Sequence, residues 1–235
     1  MSPLTIFLLI AICKISFTTG FMVKAYLSPS NSSNFPRIKA ENFFPSLWQF
    51  TMCSWLKPYP LNDNELTIIS YATSRHDEAI YICLKRRDAD YIVLFRIQTG
   101  WSDLQCALPW KQGQWYHLCA TWFAPTKTIH LYQNGQECEH LKTYNDFPST
   151  EVPSGGTLVI GQDQDAPDSK YQLYQSYHGD IAEVHFWDEQ LSLEQIRDIG
   201  SCKGSMIEGN LFAWMKTPMT VKDNVVLSAT HLCYN

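Results

Sequence analysis

Short apolar or alternating runs, each closed by turn residues, follow one another along most of this chain, and that rhythm favours a packed pair of β-sheets. The clearest runs are Trp48 to Leu56, Leu66 to Thr73, Ala79 to Leu84, Tyr91 to Ile97, Trp115 to Phe123, Thr128 to Gln133, Thr157 to Gly161 and Asp180 to Trp187. Their β-branched and aromatic content suits a pleated, half-buried surface. Asn134-Gly135 is a tight-hairpin signal and Ser154-Gly155-Gly156 marks another turn. One segment breaks the rhythm. Ser192-Leu193-Glu194-Gln195 has the form of a capping box, and Leu191, Gln195, Ile196 and Ile199 continue at helical spacing until Gly200. No internal repeat or low-complexity stretch divides the chain. The expectation is an all-β fold, a two-sheet antiparallel jelly-roll sandwich with one short α-helix.

The N-terminus and the cysteines point outside the cell. The apolar run Leu4 to Cys13 is too short to span a bilayer and leads to Thr18-Thr19-Gly20, small residues suited to signal peptidase. This predicts a signal peptide over residues 1–20 and a single domain over residues 21–235, with no transmembrane segment. The run has no Lys or Arg ahead of it, so an uncleaved buried element is the alternative. Cleavage removes Lys14 and one of eight cysteines, Cys13, and moves the formal charge from −5 to −6. A mildly acidic chain without basic runs argues against nucleic acid as a partner. Seven remaining cysteines suggest three disulfides and one thiol, with the pairing open. There is no CxxC, and His117 with Cys119 lacks a second pair to close a tetrahedral zinc site. Asn31-Ser32-Ser33, in the polar lead-in Ser28 to Pro36, makes Asn31 the one glycosylation candidate.

Three longer segments carry a more specific signal: His117-Leu118-Cys119-Ala120-Thr121-Trp122, Leu158-Val159-Ile160-Gly161-Gln162-Asp163-Gln164-Asp165, and Gln175-Ser176-Tyr177-His178-Gly179-Asp180-Ile181 running on to Phe186-Trp187-Asp188. Together they resemble the pentraxin family, from about residue 35 to the C-terminus. The first matches that family's His-x-Cys-x-Ser/Thr-Trp signature and the second its Gly-Gln-x-Gln-Asp calcium loop. Ser70-Tyr71-Ala72-Thr73 followed by Asp77 matches the other half of the calcium site. The resemblance implies a jelly roll assembled as a cyclic homo-oligomer, with calcium sites on one face. It also implies that Cys53 pairs with Cys119 across the two sheets, Cys106 with Cys138, and Cys202 with Cys233. Cys83 is then the odd thiol, read as a buried hydrophobe-like residue rather than an intersubunit bridge.

Calcium takes roughly six to eight oxygens from carboxylates, amides, backbone carbonyls and water. On the resemblance, Asp163, Gln164 and Asp165 with Asp77 and Glu78 hold the first ion, Gln164 giving its main-chain oxygen. Gln172 and Gln175 bound a second, weaker ion, because Gln172 stands where a carboxylate is usual and ligand charge sets affinity. Asp168, in the altered stretch Ala166-Pro167-Asp168-Ser169, is a further candidate ligand. Up to two Ca2+ ions would form a cationic patch able to coordinate phosphate or vicinal hydroxyls. Cys83 falls where phosphocholine-binding relatives have an apolar or aromatic wall, so phosphoethanolamine, other phosphomonoesters or sugars suit the site at least as well. The implied function is that of a secreted calcium-dependent lectin, multivalent on microbial or damaged-cell surfaces, with the subunit number open.

Two other classes compete. One is a structural or storage assembly, including a venom or haemolymph component, that kept the fold and lost ligand binding. The other is a glycoside hydrolase using Glu183 and Asp188, but these sit on opposite faces if the strand is regular. No Gly-x-Ser-x-Gly, HExxH or P-loop occurs, and the chain is read as not an enzyme. His117, in a buried strand, is read as a core residue.

Overall fold

The computed structural model describes residues 22–41, 44–59, 65–88, 90–143, 147–201 and 207–232. The expected leader and the expected Cys202–Cys233 pair lie outside these residues. Strands are numbered β1 to β16 in chain order, and each pairing is antiparallel. One sheet runs β10 (Gln136–Glu137), β9 (Thr128–Gln133), β8 (Tyr116–Phe123), β3 (Gln49–Pro58), β13 (Gly179–Trp187), β1 (Met22–Leu27) and β16 (Val226–Thr230), with β14 (Phe212–Ala213) pairing on β13. The other runs β11 (Glu139–Thr143), β7 (Gly100–Gln105), β6 (Asp90–Ile97), β5 (Ile80–Arg87), β4 (Leu66–Ala72), β12 (Thr157–Ile160), β2 (Arg37–Glu41) and β15 (Thr220–Lys222).

Strand alternation explains how the sheets meet. Phe50, Met52 and Leu56 of β3 and Leu118, Ala120 and Trp122 of β8 join Ile80, Ile82 and Leu84 of β5 and Val93 and Phe95 of β6 in one core. The Phe50 ring lies 6.3 Å from Phe95, 5.8 Å from Trp122 and 6.1 Å from Phe186, so aromatic contacts bridge the layers. Each such side chain contributes about 1.5–3 kcal/mol by leaving water. The Asn134-Gly135 hairpin forms with φ of 51° and 75°, the positive values a type I′ turn needs.

The opposite face of the first sheet is covered by α1 (Leu193–Ser201), whose Ile196 packs with Cys53, Cys119, Trp187 and Leu191. The capping box is made: the Gln195 amide donates to Ser192 Oγ at 3.2 Å and the Ser192 amide to Gln195 Oε1 at 2.8 Å. Cys53 and Cys119 are disulfide-bonded, but not across the sheets as expected. They face each other on the neighbouring strands β3 and β8, with Cα atoms 4.1 Å apart. That closeness is the spacing of a directly opposed antiparallel pair, whereas packed sheets stand about 10 Å apart. A second bridge joins Cys106, after β7, to Cys138, between β10 and β11.

His117 lies under the helix, 1% exposed, and a Cβ on Gly200 would stand 2.6 Å from its Nδ1. Burial, with a smaller push from His185, lowers its pKa to about 3. The folded state therefore binds fewer protons than the unfolded one below pH ~6.5. This contribution to stability is complete above that value and is lost as pH falls toward 3, at about 1.4 kcal/mol per pH unit. His117→Leu should flatten the decline in melting temperature between pH 6.5 and 4; parallel declines in parent and variant would refute the assignment.

Candidate metal centre

Gly161 ends β12 and sets the path of the loop that follows. Its φ is +95°, and a Cβ would come within 2.0 Å of Leu27 Cδ2, so no other residue turns the chain here without displacing β1. Two buried glutamines then pin the loop. Gln162 Nε2 donates to Pro36 O at 2.9 Å, and its Oε1 accepts from Ser176 Oγ at 2.7 Å. Gln164 Nε2 donates to Ser70 O at 2.9 Å and Thr157 O at 3.0 Å, while its Oε1 accepts from the Asp168 amide at 2.8 Å. The Gln164 side chain is thus occupied within the protein, in keeping with a main-chain role for this residue.

Asp163 lies between these pins, only 3% exposed. Its Oδ1 accepts from the Gln164 amide at 2.9 Å, and its Oδ2 accepts from Gln175 Nε2 at 2.7 Å. Asp165 Oδ2 accepts from Gln172 Nε2 at 2.5 Å. The side-chain amides of Gln172 and Gln175, the residues expected to bound the second ion, thus donate to the two aspartates in this structure, and the Gln175 N–H donates to Gln172 O at 3.1 Å, which joins the two pairs. From the β4–β5 connection, exposed Asp77 accepts from the Glu78 amide at 3.0 Å, and Glu78 is ion-paired with Arg96. Asp168 is turned elsewhere: it pairs with Arg37 and Lys39 and accepts from Tyr171 Oη at 2.6 Å. It is therefore already neutralised and does not join the cluster.

The electrostatics are those of a site short of positive charge. Burial, then the charges of Glu78 and Asp165, push the Asp163 carboxyl up to about 7. Among the described residues, no three acidic donors of this loop come within 4.8 Å of one another; the one such cluster is Cys53, His117 and Cys119, whose sulfurs are bonded to each other. A cation here would need amide and main-chain oxygens as well as carboxylates. One is at hand, since Gln175 Oε1 is buried with no hydrogen-bond partner. An oxygen-only donor set of this kind fits a hard cation such as Ca2+ and not zinc.

Ser70, in the segment whose resemblance pointed to the other half of the calcium site, has an Oγ that accepts from the Gln164 amide at 3.2 Å and lies 3.4 Å from Asp163 Oδ1, whereas sequence reading missed Arg96. Arg96 had one visible signal, a lone charge in the apolar run of β6. Cys83 is a free, fully buried thiol held protonated by burial, so it is closed to bridging between subunits in this fold. Asn31 is exposed, with its Oδ1 accepting from the Ser33 amide at 3.0 Å.

The fold is thus a helix-capped jelly roll that carries a pinned acidic loop. The chain belongs to the pentaxin family, whose model matches residues 24–229. It is 30% identical over 213 residues to C-reactive protein 1.4 of Limulus polyphemus, covering 89% of this chain and 86% of that protein. Neuronal pentraxin-1 of Rattus norvegicus is 25% identical over 192 residues, 80% of this chain and 42% of the relative. The native heptameric SAP-like pentraxin from Limulus polyphemus superposes with a TM-score of 0.83 at 27% identity, over 90% of this chain and 97% of that one. Among the described residues, no helix is long and apolar enough to cross a membrane.

Proposed function

We propose that this chain is a secreted, calcium-dependent pattern-recognition lectin that binds phosphorylated head groups or sugars on cell or microbial surfaces. The observation that carries the reading is the buried Asp163 carboxylate, crowded by Glu78 and Asp165 and hydrogen-bonded, among the described residues, by the Gln164 N–H, the Gln175 side-chain amide and Ser70 Oγ, with the charge of Arg96 offsetting only part of the crowding. Asp163, Asp165, Glu78, Asp77, the Gln164 carbonyl and Gln175 Oε1 would hold the first ion; Gln172, an amide in place of a carboxylate, makes any second ion weaker. The ions would supply positive charge with open positions for phosphate or hydroxyl oxygens, and no catalytic role is assigned. Kinship with C-reactive proteins supports the recognition role, and the two disulfides suit an oxidising compartment. The heptameric relative supports a cyclic homo-oligomer, which would convert weak single sites into avid binding on a repetitive surface. Asn31 would carry a glycan.

Calorimetric titration of calcium into chelator-treated protein tests this. The expected outcome is one or two sites, weakened about tenfold or more by Asp165→Asn, since removing a ligand charge lowers affinity. Absence of both calcium heat and calcium-dependent thermal stabilisation in folded protein would instead favour an assembly that has lost binding.

A further inference from the structure

A groove of about 210 Å³ opens on the outer face of the second sheet, lined by Lys85, Arg87, Leu94, Arg96, Trp101 and Asp103 among others. Its apolar lining is Ile92, Leu94 and Trp101, of which Leu94 and Trp101 pack with the buried Tyr81 and Cys83. Arg96 on β6 registers between Tyr81 of β5 and Trp101 of β7, its guanidinium carbon 5.5 Å from the Tyr81 ring centre. Three cations of the groove have carboxylate partners. Lys85 pairs with Glu65 at 2.7 Å, Arg87 with Asp103 at 3.0 Å, and Arg96 with Glu78. Glu65 also faces Arg96 but is already bound by Lys85 and Tyr81 Oη. Of the three carboxylates, Glu78 alone belongs to the candidate calcium set.

We infer that Arg96 is an anion receptor released by calcium: Glu78 holds its guanidinium in the ion-free chain, and a divalent ion that takes up Glu78 frees Arg96 to bind a phosphomonoester in the groove. This rests on the calcium reading above and narrows its ligand to an oxyanion. A divalent ion outcompetes a monovalent guanidinium for a carboxylate it can coordinate directly. The freed fork matches two phosphate oxygens, and against this apolar lining the charge is less screened than in open water. Lys85 and Arg87, still paired, would border the phosphate. A neutral sugar draws little from the same charge, so the groove separates the two ligand classes.

Phosphoethanolamine and inorganic phosphate are titrated into parent and Arg96→Gln protein, with calcium and with chelator, and calcium is titrated into both. Parent protein should bind either phosphate compound only with calcium. Arg96→Gln should keep or gain calcium affinity while losing about tenfold or more for both compounds, and Arg96→Lys should retain part. Unchanged phosphate binding in Arg96→Gln, loss confined to phosphoethanolamine, or a parallel loss of calcium affinity would each overturn the inference. A parent that takes up no calcium removes the lectin reading together with this one, whereas calcium uptake with phosphate binding indifferent to Arg96 removes this one alone. Melting temperatures of both variants establish that they fold.

Discussion

In the absence of calcium at pH 8, Asp163→Asn should melt above its parent, and calcium added to the variant should give no further gain. The parent's Asp163 carboxyl titrates at about 7, against 3.8 for the unperturbed group. Below 3.8 both states are protonated and the site costs nothing. As pH rises to about 7 the unfolded chain ionises first, and folding loses stability progressively, up to a few kcal/mol. Asparagine escapes that cost. Its Nδ2 can donate to Gln175 Oε1, which is buried and unpartnered in the parent, once the Gln175 amide turns over. The variant's advantage should therefore shrink between pH 8 and pH 5. Calcium at a hundredfold excess over its dissociation constant stabilises the parent by about 2.7 kcal/mol. Thermal melts at both pH values, with chelator and with calcium, report all of this. A variant that gains from calcium as much as its parent would remove Asp163 from the site.

The second large effect belongs to the Cys53–Cys119 bridge. Replacing both residues by alanine should lower stability by about 4 kcal/mol, since the bridge closes a loop with a sequence separation of 66. Because both sulfurs pack under α1, the substitution also leaves a small cavity beside Trp187 and Ile196. For a domain of this size the melting temperature falls by roughly 8–16 °C. Cys106–Cys138, with a separation of 32, should cost about 0.6 kcal/mol less on loop length alone. Denaturant titration of the two double variants measures both. A loss under about 1 kcal/mol for the first pair would refute the chain-entropy account at this site.

The central strands were legible because burial dictates their side chains: β3 and β8 alternate core residues with the outer row that α1 covers. The edges were not. β15 is exposed throughout and β16 nearly so, and both exist through backbone pairing, to β2 and β1, that leaves little pattern in the side chains. Asp180 to Trp187 was read as a regular strand, yet register shifts between Ala182 and His185, where Glu183 adopts φ 48°. A bulge of this kind inserts one residue and resets which face follows, which strict alternation cannot express. In the loop, Asp163 and Asp165 stood out as a local pattern. The pinning by Gln162 and Gln164 and the Glu78–Arg96 pair depend on residues far apart in the chain, brought together by strand register. The same reason accounts for the disulfide: similarity indicated which cysteines join, but only register shows that they are neighbours in one sheet.

Both sulfurs of that bridge are 0% exposed beneath the helix. Thiol–disulfide exchange requires a thiolate to reach a sulfur directly, so a reductant in solution has no route while α1 is seated. The bridge breaks only in molecules whose helix has lifted, and the rate of its loss in dilute reductant becomes a clock for that excursion. The protein would thus keep its central staple, whatever the reductant around it, for as long as one short, well-capped helix stays in place.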